Sequence, residues 1–258
     1  MNGFEKHGLT HSSISQLNKW IGCPSAWVSH YLYGNRGGSS PAMWRGIFIE
    51  QAVADTITKK MLMDEAIKKA EEDYDAKFDF GDDRIEKERS NIQPMTELAV
   101  EALEPYGVPD FPEDGNQHRV SLTAKGKDWS IEFMGFIDFK FPEHGLIVDL
   151  KTTGRMPGTM SIGHQRQRAF YAKTNGNMAV KFLYVTPKKA EYKEDGDVKE
   201  LMADIKAHLT RQEAFLRMGG KDTLRDIVPV DPDSFYWNGD EAKRLELFDN
   251  IEQLVYND

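Results

Sequence analysis

The segment from Gly135 to Thr153, GFIDFKFPEHGLIVDLKTT, constrains this chain more than any other stretch. Aromatic and β-branched residues alternate on both sides of Pro142, Glu143, His144 and Gly145, four residues suited to a tight turn. The segment therefore predicts a β-hairpin. Closing the loop at 142–145 pairs Phe141 with Leu146, Phe139 with Val148 and Ile137 with Leu150. The same register sets Asp138 opposite Asp149. Because side chains alternate along a strand, Leu146, Val148 and Leu150 share one face, and Ile147, Asp149 and Lys151 share the other.

Like charges opposed across a strand pair repel. Two carboxylates beside an apolar stripe need a compensating partner, and a divalent cation is one. Carboxylate oxygens are hard ligands suited to Mg²⁺, which takes one or two protein carboxylates together with waters and phosphate oxygens. Lys151, on the face of Asp149, is placed to orient or deprotonate a water and to balance charge on a phosphoryl group. These are the parts of metal-assisted phosphodiester cleavage.

Composition limits the alternatives. The chain has 258 residues, 40% hydrophobic and 29% charged, enough for one large α/β domain with its own core. One cysteine, Cys23, excludes an internal disulfide framework and any four-cysteine zinc or iron–sulfur site, and fits a reducing compartment. No apolar run approaches the about 20 residues needed to cross a bilayer, and MNGFEKHGLT lacks a signal-peptide layout, so a cytoplasmic location is expected. The net charge of −9 argues against a protein that coats nucleic acid non-specifically. It leaves room for an enzyme with a local basic surface.

Along the chain, residues 9–33 predict two short helices, with Thr10, Ser12 and Ser13 as candidate N-caps, Gly22 as a stop and Pro24 in the first turn of the second. A loop at 34–41 precedes a helix bearing Ile49, Val53 and Ile57 on one face. From about 60 to 104 the sequence reads as a polar, solvated helical insertion interrupted by residues 81–83 and by Pro94. Strands are expected at QHRVSLTA, WSIEFMGFIDFKF, GLIVDLK, VKFLYVT and KKAEYKE, with a helix over TMSIGHQRQRAFYAKTNG. Residues 197–218 and 240–256 predict further helices, within a single domain of helices flanking a central sheet. Trp20, Trp27 and Trp44 are expected in the core, and Cys23 is expected to be structural.

The order G-x-x-D ending at Asp138, then Asp149-Leu150-Lys151, then Thr152-Thr153 resembles the PD-(D/E)XK nucleases of the RecB-like type. The resemblance extends to Gln167 and Tyr171, which match a Q-x-x-x-Y motif on the following helix, and to Gly46 and Glu50, which match a G-x-x-x-E motif upstream. The opening LTHSSISQLNKWIGCPSAWVSHYLYG also looks like that family's first helices, so the likeness spans residues 9 to about 186. The family often has histidine where this chain has Glu50. The resemblance implies an α/β fold with a restriction-endonuclease-like core, a central mixed sheet flanked by helices, N-terminal helices and a helical insertion.

It further implies that Glu50, Asp138, Asp149 and the carbonyl of Leu150 hold Mg²⁺ or Mn²⁺, with Lys151 assisting the attacking water. Gln167 and Tyr171 would position substrate. Arg155, His164, Arg166, Arg168 and Lys173 would provide a phosphate-contacting track, Arg155 and Arg168 being the candidate substrate ligands. The expected activity is hydrolysis of DNA, favouring an exonuclease in recombination, repair or processing of the kind phages and bacteria use. Alternatives are a structure-specific endonuclease and an inactive DNA-binding or assembly protein of the same fold. The sequence contains no G-x-x-x-x-G-K-[ST] helicase motif, so any helicase, annealing or single-strand-binding protein would be a separate partner. Oligomerisation is compatible with this reading, and a ring would favour processive action.

Overall fold

The computed structural model describes residues 1–38, 40–78, 81–112, 117–123, 131–176, 178–237 and 241–255, the side chains of 249–255 excepted. Residue 39 of the expected loop, 124 and 129–130 of the expected strands, and residues 240 and 256 at the ends of the last expected helix lie outside the described residues. In chain order the elements are α1 (Gly3–Lys6), β1 (His11–Ser13), α2 (Ile14–Gly22), α3 (Pro24–Leu32), α4 (Pro41–Ile57), α5 (Met63–Asp75), α6 (Asp83–Ser90) and α7 (Ile92–Leu103). Then follow β2 (His118–Thr123), β3 (Glu132–Ile137), β4 (Phe139–Phe141), β5 (Leu146–Thr152), α8 (Ile162–Thr174), β6 (Ala179–Val185), β7 (Ala190–Lys193), α9 (Val198–Arg217), α10 (Lys221–Ile227) and α11 (Glu241–Val255). The class is mixed α/β. Among the described residues, no helix is long and apolar enough to cross a membrane.

The chain divides into two compact units, each assembled from separate stretches of sequence: 1–38, 121–135 and 199–258 in the first, 39–120 and 136–198 in the second. In the first unit Ser13 caps α2 by accepting from the Gln16 amide, as its residue type predicts. Pro24 opens α3, where its missing N–H has no helical partner to lose. Trp27 is fully buried with Trp20 packed edge-on to it at 5.6 Å. The expected break at Gly22–Pro24 is therefore present. What sequence periodicity does not reveal is β1, three residues paired in parallel with β3.

The second unit holds a four-stranded sheet in the order β4-β5-β6-β7. It is mixed: β4 runs antiparallel to β5, β5 parallel to β6, and β6 antiparallel to β7. The hairpin register matches expectation at Phe139 opposite Val148 and Phe141 opposite Leu146, but the ladder stops there: the expected Ile137–Leu150 and Asp138–Asp149 pairings are not in it, since Ile137 ends β3 of the other sheet. Residues 142–144 form one 3₁₀ turn, and Gly145 takes the left-handed conformation (φ 55°) that closes it. The stripe Leu146, Val148 and Leu150 is buried together with Leu183 and Val185 of β6 against Ile49, Val53 and Ile57 of α4. Burial at this apolar face drives α4 onto the sheet. On the opposite face, the α8 residue His164 packs its ring against Phe182 and Tyr184 of β6.

The segment 60–104 departs from the solvated insertion expected. Its last helix, α7, buries Ile92, Met95, Thr96, Ala99 and Leu103, all in the cluster formed with α4 and β5 except Thr96, which bonds back to the Ile92 carbonyl at 2.8 Å. Apolar residues at this i, i+3, i+7 spacing make a core-facing stripe, and it was masked by the charged helices before it. Pro94 does not interrupt the helix. It lies in the first turn of α7, where a backbone N–H has no partner to lose.

Candidate active site

Asp138 lies at the bend between β3 and β4, the point at which the chain leaves the three-stranded sheet β1-β3-β2 and enters β4-β5-β6-β7. It is not strand-paired with Asp149 as the hairpin register alone predicts, because the β4–β5 ladder begins one residue later at Phe139. Its Oδ2 accepts the Leu150 backbone N–H at 2.9 Å, so the side chain reaches across to the β5 backbone. Its Oδ1 accepts the Gln117 side-chain amide at 3.0 Å. That same amide nitrogen donates to Glu50 Oε1 at 2.6 Å. Asp149, wholly buried in β5, is ion-paired with Lys151, whose ammonium also lies 5.3 Å from the centre of the Phe182 ring.

Glu50 reaches this place because α4 packs closely on β5. A Cβ built on Gly46 would stand 3.1 Å from the Thr152 hydroxyl, so the absent side chain lets the helix approach the strand. Arg45, the residue before it on α4, is buried, hydrogen-bonds the same hydroxyl at 3.2 Å and is ion-paired with Glu88 of α6. A buried guanidinium needs such partners to offset its desolvation.

The electrostatics are those of a crowded acidic site. Burial, reinforced by the charges of Asp149 and Glu50, pushes the Asp138 carboxyl well above the usual range. Burial likewise raises Glu50, with Asp149 adding to the shift. Burial raises Asp149 too, while the Lys151 charge and hydrogen bond oppose it. Burial opposes the Lys151 charge, but Asp149, Asp138 and Glu50 outweigh it and hold its proton above the ordinary value. Lys151 thus holds its proton beside the carboxyl groups of Asp149, Asp138 and Glu50.

Among the described residues, no group of three or more His, Cys, Asp or Glu side chains stands in metal-holding geometry. Gln117 bridges Glu50 and Asp138, and Lys151 engages Asp149 Oδ2. One acceptor is left over: Asp149 Oδ1 is buried and has no hydrogen-bond partner. A buried, unsatisfied carboxylate oxygen is costly, and it fits a hard cation. On that test the residues suit Mg²⁺ or Mn²⁺.

The other expected site residues are placed as follows. The Gln167 amide donates to the Tyr171 hydroxyl at 2.9 Å, and that hydroxyl donates to the Phe136 carbonyl, two residues before Asp138. Tyr171 is buried, so the motif ties α8 to β3, the strand that leads into Asp138. Arg168 donates to the Val180 and Gly196 carbonyls at 3.2 and 3.1 Å, and Arg166 is buried. These contacts make them parts of the framework more than of an open basic track. Arg155 is exposed. His164 Nδ1 and the Tyr184 hydroxyl share a hydrogen bond at 2.5 Å, and burial lowers the His164 pKa to about 4, so the ring is neutral at pH 7. Sequence reasoning missed Gln117 and the Arg45–Glu88 pair, because neither belongs to a periodic or spaced pattern.

No family model matches the chain, and no curated protein matches it. Among solved structures, the chain is similar to one described as the crystal structure of SSO0001, with 12% identity, 85% of this chain and 82% of that chain covered, and a TM-score of 0.39. At that TM-score the likeness bears on neither fold family nor activity.

Proposed function

We propose that this chain is a Mg²⁺- or Mn²⁺-dependent deoxyribonuclease with a restriction-endonuclease-like core, acting as an exonuclease in DNA recombination, repair or processing. The observation that carries the proposal is the convergence of Glu50, Asp138, Asp149 and Lys151, with one buried carboxylate oxygen of Asp149 left without a partner. Glu50, Asp138 and Asp149 would hold the cation, with the Leu150 carbonyl beside them. When bound, the cation supplies Lewis-acid stabilisation of a phosphodiester and activation of water. Lys151 places its ammonium next to the reacting phosphate, orients the attacking water and offsets the charge that develops on phosphorus. Gln167 and Tyr171 fix β3, the strand that leads into Asp138, and Arg155 offers an exposed cation to the DNA backbone. The enzyme would work in the cytoplasm, that of the host if a phage encodes it, with a separate helicase, annealing or single-strand-binding protein.

The test is digestion of end-labelled linear and closed-circular DNA, single- and double-stranded, with Mg²⁺ or with EDTA. Cation-dependent loss of linear substrates is expected, and Lys151→Ala should lower the rate by about 10²–10³-fold. Absence of cleavage of every substrate, or full activity in Lys151→Ala, refutes the mechanism. Cutting of closed circles refutes the exonuclease assignment alone.

A further inference from the structure

Gln117 belongs to none of the motifs that define the proposed site, yet it makes the contact that joins two of its carboxylates. Its Nε2 lies 2.6 Å from Glu50 Oε1 and 3.0 Å from Asp138 Oδ1. A primary amide has two N–H donors, and here each is aimed at a different carboxylate. Two carboxylate oxygens converging on one atom is the arrangement a shared cation requires, at somewhat shorter distances. An independent sign of a missing ligand is nearby: Asp149 is wholly buried, and its Oδ1 accepts no hydrogen bond.

We propose that Gln117 is a positioning residue of the cation site, whose amide stands where the ion binds, holds Glu50 and Asp138 together in its absence, and withdraws when it arrives. The inference rests on the metal-dependent reading above. It has a signature opposite to that of a simple structural bridge. Hydrogen bonds that exist only in the metal-free state stabilise that state alone, so removing them makes the cation bind more tightly. A bridge present in both states would leave binding unchanged when removed. A bridge needed to pre-organise the ligands would weaken binding when removed.

The experiment is a Mn²⁺ titration of the full-length protein without DNA, followed by calorimetry and by the electron-spin signal of free Mn²⁺. Gln117→Ala should bind Mn²⁺ at least about tenfold more tightly than the wild type, since two charge-assisted hydrogen bonds no longer compete. Gln117→Lys should do the reverse: a fixed ammonium near the ion's position should raise the Tm in EDTA and abolish Mn²⁺ binding. Equal or weaker binding by Gln117→Ala overturns the proposal. Should Gln117→Ala fail to fold, Gln117→Lys decides. A lower Tm in EDTA, or wild-type affinity for Mn²⁺, then overturns it. The two readings fail separately. If the wild type binds Mn²⁺ at a site lost in Asp149→Asn and Gln117→Ala is unchanged, only the role of Gln117 falls. If the wild type binds no Mn²⁺, both fall.

Discussion

Replacing Asp138 by asparagine should stabilise the metal-free protein while removing its response to divalent cations. Asparagine keeps the shape and one carbonyl oxygen to accept the Leu150 N–H, while the Gln117 nitrogen stays with Glu50 and gives up its bond to position 138. What is lost is a charge. Glu50 and Asp138 each place an oxygen against the same Gln117 nitrogen, so those oxygens are no farther apart than the sum of 2.6 and 3.0 Å, about 5.6 Å. Two unit charges at that separation repel by about 3 kcal/mol at an effective dielectric constant of 20, and relaxation leaves roughly 1–2 kcal/mol.

The sign with pH follows from linkage. The folded-state pKa of Asp138 is raised by burial and by its acidic neighbours. Its favourable contribution is therefore complete below the ordinary carboxylate pKa and is lost as pH rises through the raised value. Urea denaturation in EDTA should show Asp138→Asn matching the wild type near pH 4 and exceeding it by roughly 1–2 kcal/mol at pH 8. For the wild type, 10 mM Mg²⁺ acting on a site with a dissociation constant near 1 mM adds about 1.4 kcal/mol. The variant should gain far less. A variant less stable than wild type in EDTA at pH 8, or one that gains the same increment from Mg²⁺, refutes the account of the site as repelling carboxylates that a cation relieves.

Three further outcomes are expected. Ile92→Ala should lose about 2–5 kcal/mol in urea denaturation, because α7 is part of the core; a loss below about 1 kcal/mol would return that helix to the solvated class. Gly46→Val should destabilise by about 1–3 kcal/mol and lower cleavage by pushing α4, and with it Glu50, away from Thr152; unchanged cleavage would show that the close approach does not matter. His164, with its pKa lowered to about 4, binds fewer protons folded than unfolded between that value and 6.5. Its contribution is thus complete above pH 6.5 and is lost as pH falls toward 4, by roughly 2 kcal/mol after allowance for its partial solvent contact. The wild type minus His164→Phe difference, measured by denaturation at each pH, should fall over that window; a flat difference would refute the assignment.

The local elements were legible in the sequence because their causes are local. The hairpin register follows from a four-residue turn and a two-residue alternation, and it brings Asp149 and Lys151 to one face. The cap at Ser13 follows from the preference of a hydroxyl for unpaired N–H groups at a helix start. Gly46 stood out as a glycine in a helix one turn before an acid, and its close approach to Thr152 accounts for that.

Other features depended on contacts between distant parts of the chain. β1 is only three residues long and exists because β3, more than a hundred residues on, pairs with it. Whether α7 faced water or core depended on the position of α4 and β5, which its charged surroundings concealed. The meeting of Glu50, Gln117 and Asp138 joins positions 67 and 21 residues apart. Sequence alone determined which residues bear charge and which face each presents. The tertiary structure decided which charges meet in a buried place, because periodicity describes a neighbour one turn or one strand away, whereas burial and repulsion depend on every group the folded chain brings within a few ångströms.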